Sequence, residues 1–142
     1  MKILLAVDGS KNSLDAVKCV IEHGDWYQGT PEVELLYVHL PLPKLPSMGK
    51  VVSHAQIDRY YREEGEAALA QAEKLLERAG VRHRTALLVG KPAETIVKHA
   101  RAARADLIVV GNQGRGAVGN LLIGSVASRV LQLADLPVML VK

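Results

Sequence analysis

Five short apolar runs limit what this chain can become. They read KILLAV (2–7), EVELLYV (32–38), RTALLV (84–89), DLIVV (106–110) and PVMLV (137–141). Several are near-continuous rather than alternating, which is the pattern of strands buried on both faces in a parallel sheet. Helix-period segments separate them. Leu14, Val17, Val20 and Ile21 share one face of a first helix, and Gly24 is placed to stop it. Ser53 and Gln56 have the spacing of a capping box for a second helix. Ala68, Ala72, Leu75, Leu76 and Ala79 carry its apolar stripe as far as Gly80. Pro92 suits the first turn of a third helix, with Ala93, Ile96, Val97 and Ala100 facing inward. Val126, Val130, Leu133 and Ala134 give the core face of a fourth, after Ser125.

The order is therefore β-α-β-α-β-α-β-α-β, which implies an open parallel sheet with helices on both faces. The 142 residues suit one domain. A chain of this size buries roughly 70% of its extended surface, so no covalent staple is needed. The single cysteine, Cys19, leaves no internal disulfide and points to a reducing compartment. The opening apolar run is too short for a signal segment or a membrane span. The expectation is a cytoplasmic protein with no membrane association. The formal net charge of +3 is spread along the chain without a basic block, and aromatic residues are 4% with no Phe. Neither feature supports nucleic-acid binding. One irregular stretch, from His39 to Val52, holds three prolines and reads as a plain connection or a lid.

In an open α/β sheet, ligands bind beyond the C-terminal ends of the strands, where the strand order reverses. The residues to watch are Asp8-Gly9-Ser10, Val38-His39, Gly90-Lys91-Pro92 and the stretch GNQGRGAVGNLLIGS, which starts at Gly111. That stretch holds five glycines directly after an apolar strand. Gly114 to Gly119 fits G-x-G-x-x-G, but a dinucleotide fingerprint should open the first βαβ unit, and this one follows the fourth strand. Gly119 to Ser125 has Walker A spacing without the lysine that reaches the β- and γ-phosphates. What survives is an anion cradle, with main-chain N–H groups freed by glycine and a helix N-terminus near Gly124-Ser125. The Ser125 hydroxyl would add a hydrogen bond or cap the helix.

Gly111-x2-Gly114-x9-Gly124-Ser125 resembles the G-2x-G-9x-G-[S/T] signature of the nucleotide-binding branch of the universal stress protein family. KILLAVDGSKNS, LLYVHL, GKPAETIV and the closing GSVASRVLQLADLPVMLVK are similar to that family's corresponding segments, in order and over the whole chain. Asn112-Gln113 falls on a variable part of the signature. The resemblance implies a Rossmann-like α/β domain over residues 1–142, with five parallel strands in the order 3-2-1-4-5. It implies ATP in a cleft between strands 1 and 4. By position, Ala6, Val7 and Asp8 would flank the nucleoside and the main chain at Val38 would meet adenine. Gly111 would sit by the ribose. Gly114, Arg115, Gly116, Gly124, Ser125 and Val126 would surround the phosphates. Mg²⁺ would be held mainly through those phosphates.

Several residues keep two readings. Asp8 serves the ligand or only the N–H groups that start the first helix. Arg115 pairs with phosphate or lies in solvent. His39 approaches the base or is structural. Glu63, Glu64 and Glu66 read as a solvated helix face, Cys19 as packing. No nucleophile–base arrangement follows from spacing. The last strand, from Pro137 to Val141, is apolar throughout and would be sticky at a sheet edge. Pairing with its own copy gives a homodimer, as the resemblance also implies. The functional expectation is an ATP-binding stress-response regulator with a protein partner yet to be named. Its rivals are an adenylating or nucleotide-transferring enzyme and a scaffold that binds no nucleotide. Slow hydrolysis or self-phosphorylation stays open.

Overall fold

The computed structural model describes residues 1–43, 52–116 and 122–142. Its elements in chain order are β1 (Lys2–Ala6), α1 (Lys11–Glu22), β2 (Glu32–His39), α2 (His54–Arg78), β3 (His83–Val89), α3 (Pro92–Ala102), β4 (Leu107–Gly111), α4 (Ser125–Leu133) and β5 (Val138–Val141). A short 3-10 turn, Gly24–Trp26, follows α1. All four strand pairings are parallel, and the sheet order is β3-β2-β1-β4-β5. The strand order implied by the family resemblance is thus the order observed.

Alternation along the strands explains the near-continuous apolar runs. Ile3, Leu5 and Val7 turn to one face of the sheet and pack with Val17 and Val20 of α1 and Ala72 and Leu76 of α2. Leu4 turns to the other face, with Leu36, and meets Ile96, Val97 and Ala100 of α3 and Val130 of α4. Both faces are covered, so every position on a central strand must be apolar. Among the described strand residues, Glu34 is the buried polar exception. It is buried on β2, where its carboxylate accepts from Arg84 Nη2 at 2.7 Å and lies 3.0 Å from His99 Nε2.

Helix starts follow local chemistry. Ser10 caps α1, its hydroxyl accepting from the Ser13 N–H at 3.3 Å. Ser53 and Gln56 form the reciprocal capping box that their spacing predicts. Pro92 occupies the first turn of α3, and all four of that helix's predicted core residues are buried. The fourth helix departs from expectation. Ala127 and Val130 are its buried residues, while Val126 is 39% exposed. Ala134 lies just past the helix end. The inward direction of α4 is set by where α3 and β4 stand, so the residue read as core faces a cleft instead.

Candidate functional site

β1 and β4 are neighbours, yet the chain leaves them toward opposite faces of the sheet. β1 feeds α1 on one face and β4 feeds α4 on the other. A crevice opens between the two exits, the place where doubly wound sheets bind ligands. It encloses about 140 Å³ and is lined by Ala6, Val7, Asp8, Ser13, Leu36, Val38, Pro92, Ile96, Val110, Gly111, Gln113, Gly114, Val126 and Ala127.

The crevice has two chemical ends. Leu36, Val38, Pro92, Ile96 and Val110 make an apolar slot on the α3 side. The Val7 N–H donates to the Leu36 C=O at 2.9 Å at the end of the β1–β2 ladder. Main-chain direction alternates along a strand, so the polar groups of Val38 face the same way as those of Leu36, just past the end of β1. A flat heteroaromatic ring in the slot would meet main-chain polar groups at its edge.

The other end is built from main chain and one carboxylate. Asp8 Oδ1 accepts from the Ser10 N–H at 2.9 Å, and Oδ2 accepts from the Arg115 N–H at 3.0 Å. Burial alone would raise the pKa of Asp8. Hydrogen bonds from the Ser10 side chain and amide, the Arg115 amide and Ser13 outweigh that and hold its carboxyl below the ordinary value. Asp8 is thus an anion at neutral pH that binds the loop after β4 to the turn after β1. The two readings of Asp8 merge, because it serves the start of α1 and also shapes the crevice.

Glycine allows the close approach on which this end depends. A Cβ on Gly111 would lie 2.7 Å from the Asn12 main chain, and one on Gly114 would lie 2.7 Å from Asp8 Oδ2. Gly9 makes the turn into α1 at φ +77°, a conformation that L side chains rarely adopt. The N-cap of α4 is Gly124, with no side-chain cap, so Ser125 is the first helical residue and does not cap the helix. The first-turn N–H groups of α4 keep their partial positive charge for an anion.

Ala6, Val7, Asp8, Val38, Gly111, Gly114 and Val126 line the crevice together. Gly124 and Ser125 begin α4 beside them. Gly116 is exposed, and no described residue lies within 4 Å of the position a Cβ would take. Arg115 contributes its amide, while its guanidinium leans the other way. Nη2 lies 2.9 Å from where a Gly9 Cβ would stand, beside Ala68 of α2. The His39 ring packs edge-on against Tyr37, Tyr60 and Tyr61, with centroids 5.9, 5.6 and 5.0 Å away. That is the sheet face opposite the apolar slot, so the structural reading of His39 is the one observed. The Leu42 N–H donates to the Tyr61 hydroxyl at 2.8 Å. Residues 44–51 of the proline-bearing stretch, and Gly119 of the two rejected glycine motifs, lie outside the described residues.

A hollow of similar size, about 140 Å³, opens at the opposite end of the sheet beside Lys2, Glu32, Glu34, Arg82, His83 and Arg84. Several of its charges are spent internally. Glu34 is held by Arg84 and His99, and Lys2 Nζ donates to the Ala103 C=O at 2.6 Å. It sits where strands begin, away from the open loops.

The sequence model described as the Universal stress protein family (Usp) matches residues 1–142. The chain belongs to that family. It is 39% identical to Universal stress protein MJ0531 of Methanocaldococcus jannaschii, over 99% of this chain and 81% of that protein. The fold of this universal stress protein superposes on the solved structure of protein MJ0577 with a TM-score of 0.83, at 29% identity, over 99% of this chain and 94% of that one. It is also similar to the universal stress protein from Archaeoglobus fulgidus solved in complex with dAMP. That likeness has a TM-score of 0.66 and 26% identity, and covers 100% of this chain and 98% of that chain. Among the described residues, no helix is long and apolar enough to cross a membrane.

Pro92, one of the residues to watch after the third strand, does line the slot, whereas sequence reasoning missed Leu36, Ile96 and Val110, because a wall residue and a core residue look alike in sequence. It also missed Asn112, whose partners are ten or more positions away.

Proposed function

We propose that the crevice between β1 and β4 binds an adenine nucleotide, ATP with Mg²⁺, and that the chain is a nucleotide-dependent regulator within its family. The observation that carries this reading is the pairing of an apolar slot with a glycine-built anion cradle, joined through Asp8. The base enters the slot against Leu36, Val38 and Ile96, with the main chain of Val38 at its edge. Gly111 stands at the ribose. Main-chain N–H groups at Gly114 and Gly116, and those of Ser125 and Val126 at the start of α4, receive the phosphates, while Arg115 and Gly124 shape the cradle through the bonds their own N–H groups make to Asp8 and Asn112. The dAMP complex of the Archaeoglobus fulgidus relative supports the adenine part of the reading, and the intact G-2x-G-9x-G-S spacing supports membership of the nucleotide-binding branch.

Among the described residues, no group of three or more His, Cys, Asp or Glu side chains is arranged to hold a metal ion. Both Asp8 oxygens already accept main-chain N–H groups. In this reading Mg²⁺ is carried on phosphate oxygens and neutralises their charge beside Asp8. The protein's own work is to bind and orient. Transfer of a phosphoryl group would need a side chain that orients the acceptor and another that stabilises charge. The described lining residues include no such pair, and regulation by occupancy is the reading we take.

The chain pairs with its own copy through β5, the sheet edge beyond β4, whose four residues are all half-exposed. It works in the cytoplasm through a protein partner that reads nucleotide occupancy. Acid extraction of purified protein followed by chromatography tests the central point, with retained adenine nucleotide expected. A ligand at one hundred times its Kd adds about 2.7 kcal/mol of stability, so ATP also raises Tm. Empty extracts together with an unmoved Tm would overturn the reading.

A further inference from the structure

Asn112 lies between the two glycines that open the loop after β4, at a position the family signature leaves variable. Three of its polar groups reach partners at the base of that loop. Its N–H donates to the Val141 C=O at 2.7 Å, just past the end of the β4–β5 ladder. Its C=O accepts from the Gly124 N–H at 2.6 Å. Its side-chain Nδ2 donates to the Leu122 C=O at 3.1 Å. The limb that leaves β4 is thereby joined to the limb that enters α4. The limbs touch there, since a Cβ on Gly124 would lie 3.2 Å from Gln113 Cα and 3.5 Å from the Gly114 nitrogen.

Any residue can make the two main-chain bonds. The third needs a donor on a side chain of this length. An aspartate at the same place would set a carboxylate oxygen against the Leu122 carbonyl.

We infer that Asn112 is a positioning residue of the anion cradle, its side-chain amide stapling the two limbs so that the main chain at Gly114 and the N-terminus of α4 face one phosphate group. The inference rests on the nucleotide reading of the crevice and adds a residue that the signature leaves blank. Its logic is preorganisation. Donors that already converge lose less entropy on binding than donors that must first be gathered. The apolar slot is built by β2, β4 and α3, so the staple acts on the phosphate end alone.

The test uses Asn112→Ala and Asn112→Asp in the full chain, titrated calorimetrically with ATP and, separately, with adenosine. Losing one net hydrogen bond corresponds to about threefold to tenfold in affinity. ATP should weaken by that factor in the alanine variant and further in the aspartate variant, while adenosine stays within about twofold of the parent. Hydrogen exchange at the Gly124 amide, measured without nucleotide, should quicken in both variants at unchanged Tm. Equal losses for ATP and adenosine, parental ATP binding by Asn112→Asp, or unchanged Gly124 exchange would each overturn the staple. Failure of the parent to bind either ligand would sink the nucleotide reading instead, and the Gly124 exchange rate would then decide the staple by itself.

Discussion

The main-chain N–H of Arg115 donates to Asp8 Oδ2 at 3.0 Å, across 107 positions of the chain. Asp8 Oδ1 meanwhile accepts from the Ser10 N–H two residues on. One carboxylate therefore sets the spacing between the turn that starts α1 and the loop that leads to α4. The site is mostly main chain, and Asp8 is the side chain that holds its two halves in register.

Asp8→Ala should lower stability by about 1–3 kcal/mol, the usual range for a hydrogen-bonded charged acceptor left out of a native network. The acid limb of the stability curve checks the cause. The Asp8 carboxyl is held below its usual 3.8 in the folded protein. Its contribution is therefore present above that value and lost as the pH falls through the lower folded one. Urea unfolding between pH 2 and pH 6 should show a shallower acid loss in Asp8→Asn than in the parent. Parallel curves would assign the acid loss elsewhere.

Glu34 offers a second pH-linked contact, far from the crevice. Burial pushes its carboxyl up, and hydrogen bonds from Arg84 and His99 overcome that and bring it below the usual 4.5. Its share of stability is present above about that pH and lost in more acid solution. Arg84→Ala leaves a buried carboxylate with one partner. It should destabilise the fold, though by less than breaking a fully buried pair would, because the Arg84 side chain is 57% exposed. Glu34→Leu removes the charge instead and should be near neutral or stabilising. Chemical denaturation of the two variants side by side decides the asymmetry.

Gly65 lies buried within α2, where the helix crosses β2 and β3. A Cβ there would stand 1.7 Å from Leu87 Cδ1 and 2.6 Å from Leu87 Cγ. On helix propensity alone, Gly→Ala gains about 1 kcal/mol. Overpacking of about 1–3 kcal/mol should outweigh it, so Gly65→Ala is expected to lower Tm. Adding Leu87→Ala should recover part of the loss, giving a negative coupling in a double-mutant cycle.

Gly124→Val should fold and lose nucleotide binding. Gly124 has φ −72°, a backbone conformation open to any residue. A Cβ there would lie 3.2 Å from Gln113 Cα and 3.3 Å from the Asn112 carbonyl oxygen, so valine pushes apart the two limbs of the cradle. Calorimetric titration with ATP should fall below detection at unchanged far-ultraviolet circular dichroism. Parental affinity would remove the loop from the site.

Self-association through β5 predicts twice the 15.4 kDa chain mass in sedimentation at micromolar concentration. A proline in place of Leu140, whose N–H faces the open edge because Pro137 and Val141 face β4, should shift the species toward monomer. A parent that sediments as a monomer would contradict this interface.

The layered fold was legible because its signals are local. The apolar runs, the Ser53–Gln56 box and Pro92 each act within a few residues, and strand ends fell within a residue or two of the observed ones. Strand order came from family resemblance, since pairing across the chain leaves no local trace. The site was half legible. Gly111, Gly114 and Gly124 declared a cradle by their spacing, whereas Val126 read as core by periodicity and as a site residue only by resemblance, and it lines the crevice. The direction of Arg115 depends on Gly9 and Ala68, and the work of Asn112 depends on Leu122 and Gly124. Buried Glu34 looked like one polar residue in an apolar run, because its partners lie 50 and 65 positions away.

Titration of isotope-labelled protein with ATP and Mg²⁺, followed amide by amide in proton–nitrogen correlation spectra, tests the central claim most directly. Saturable shifts should centre on Asp8, Val38, Gly111, Gly114, Arg115 and Ser125. Spectra that do not change, or shifts centred on the hollow at Glu32, Arg82 and Arg84, would contradict it.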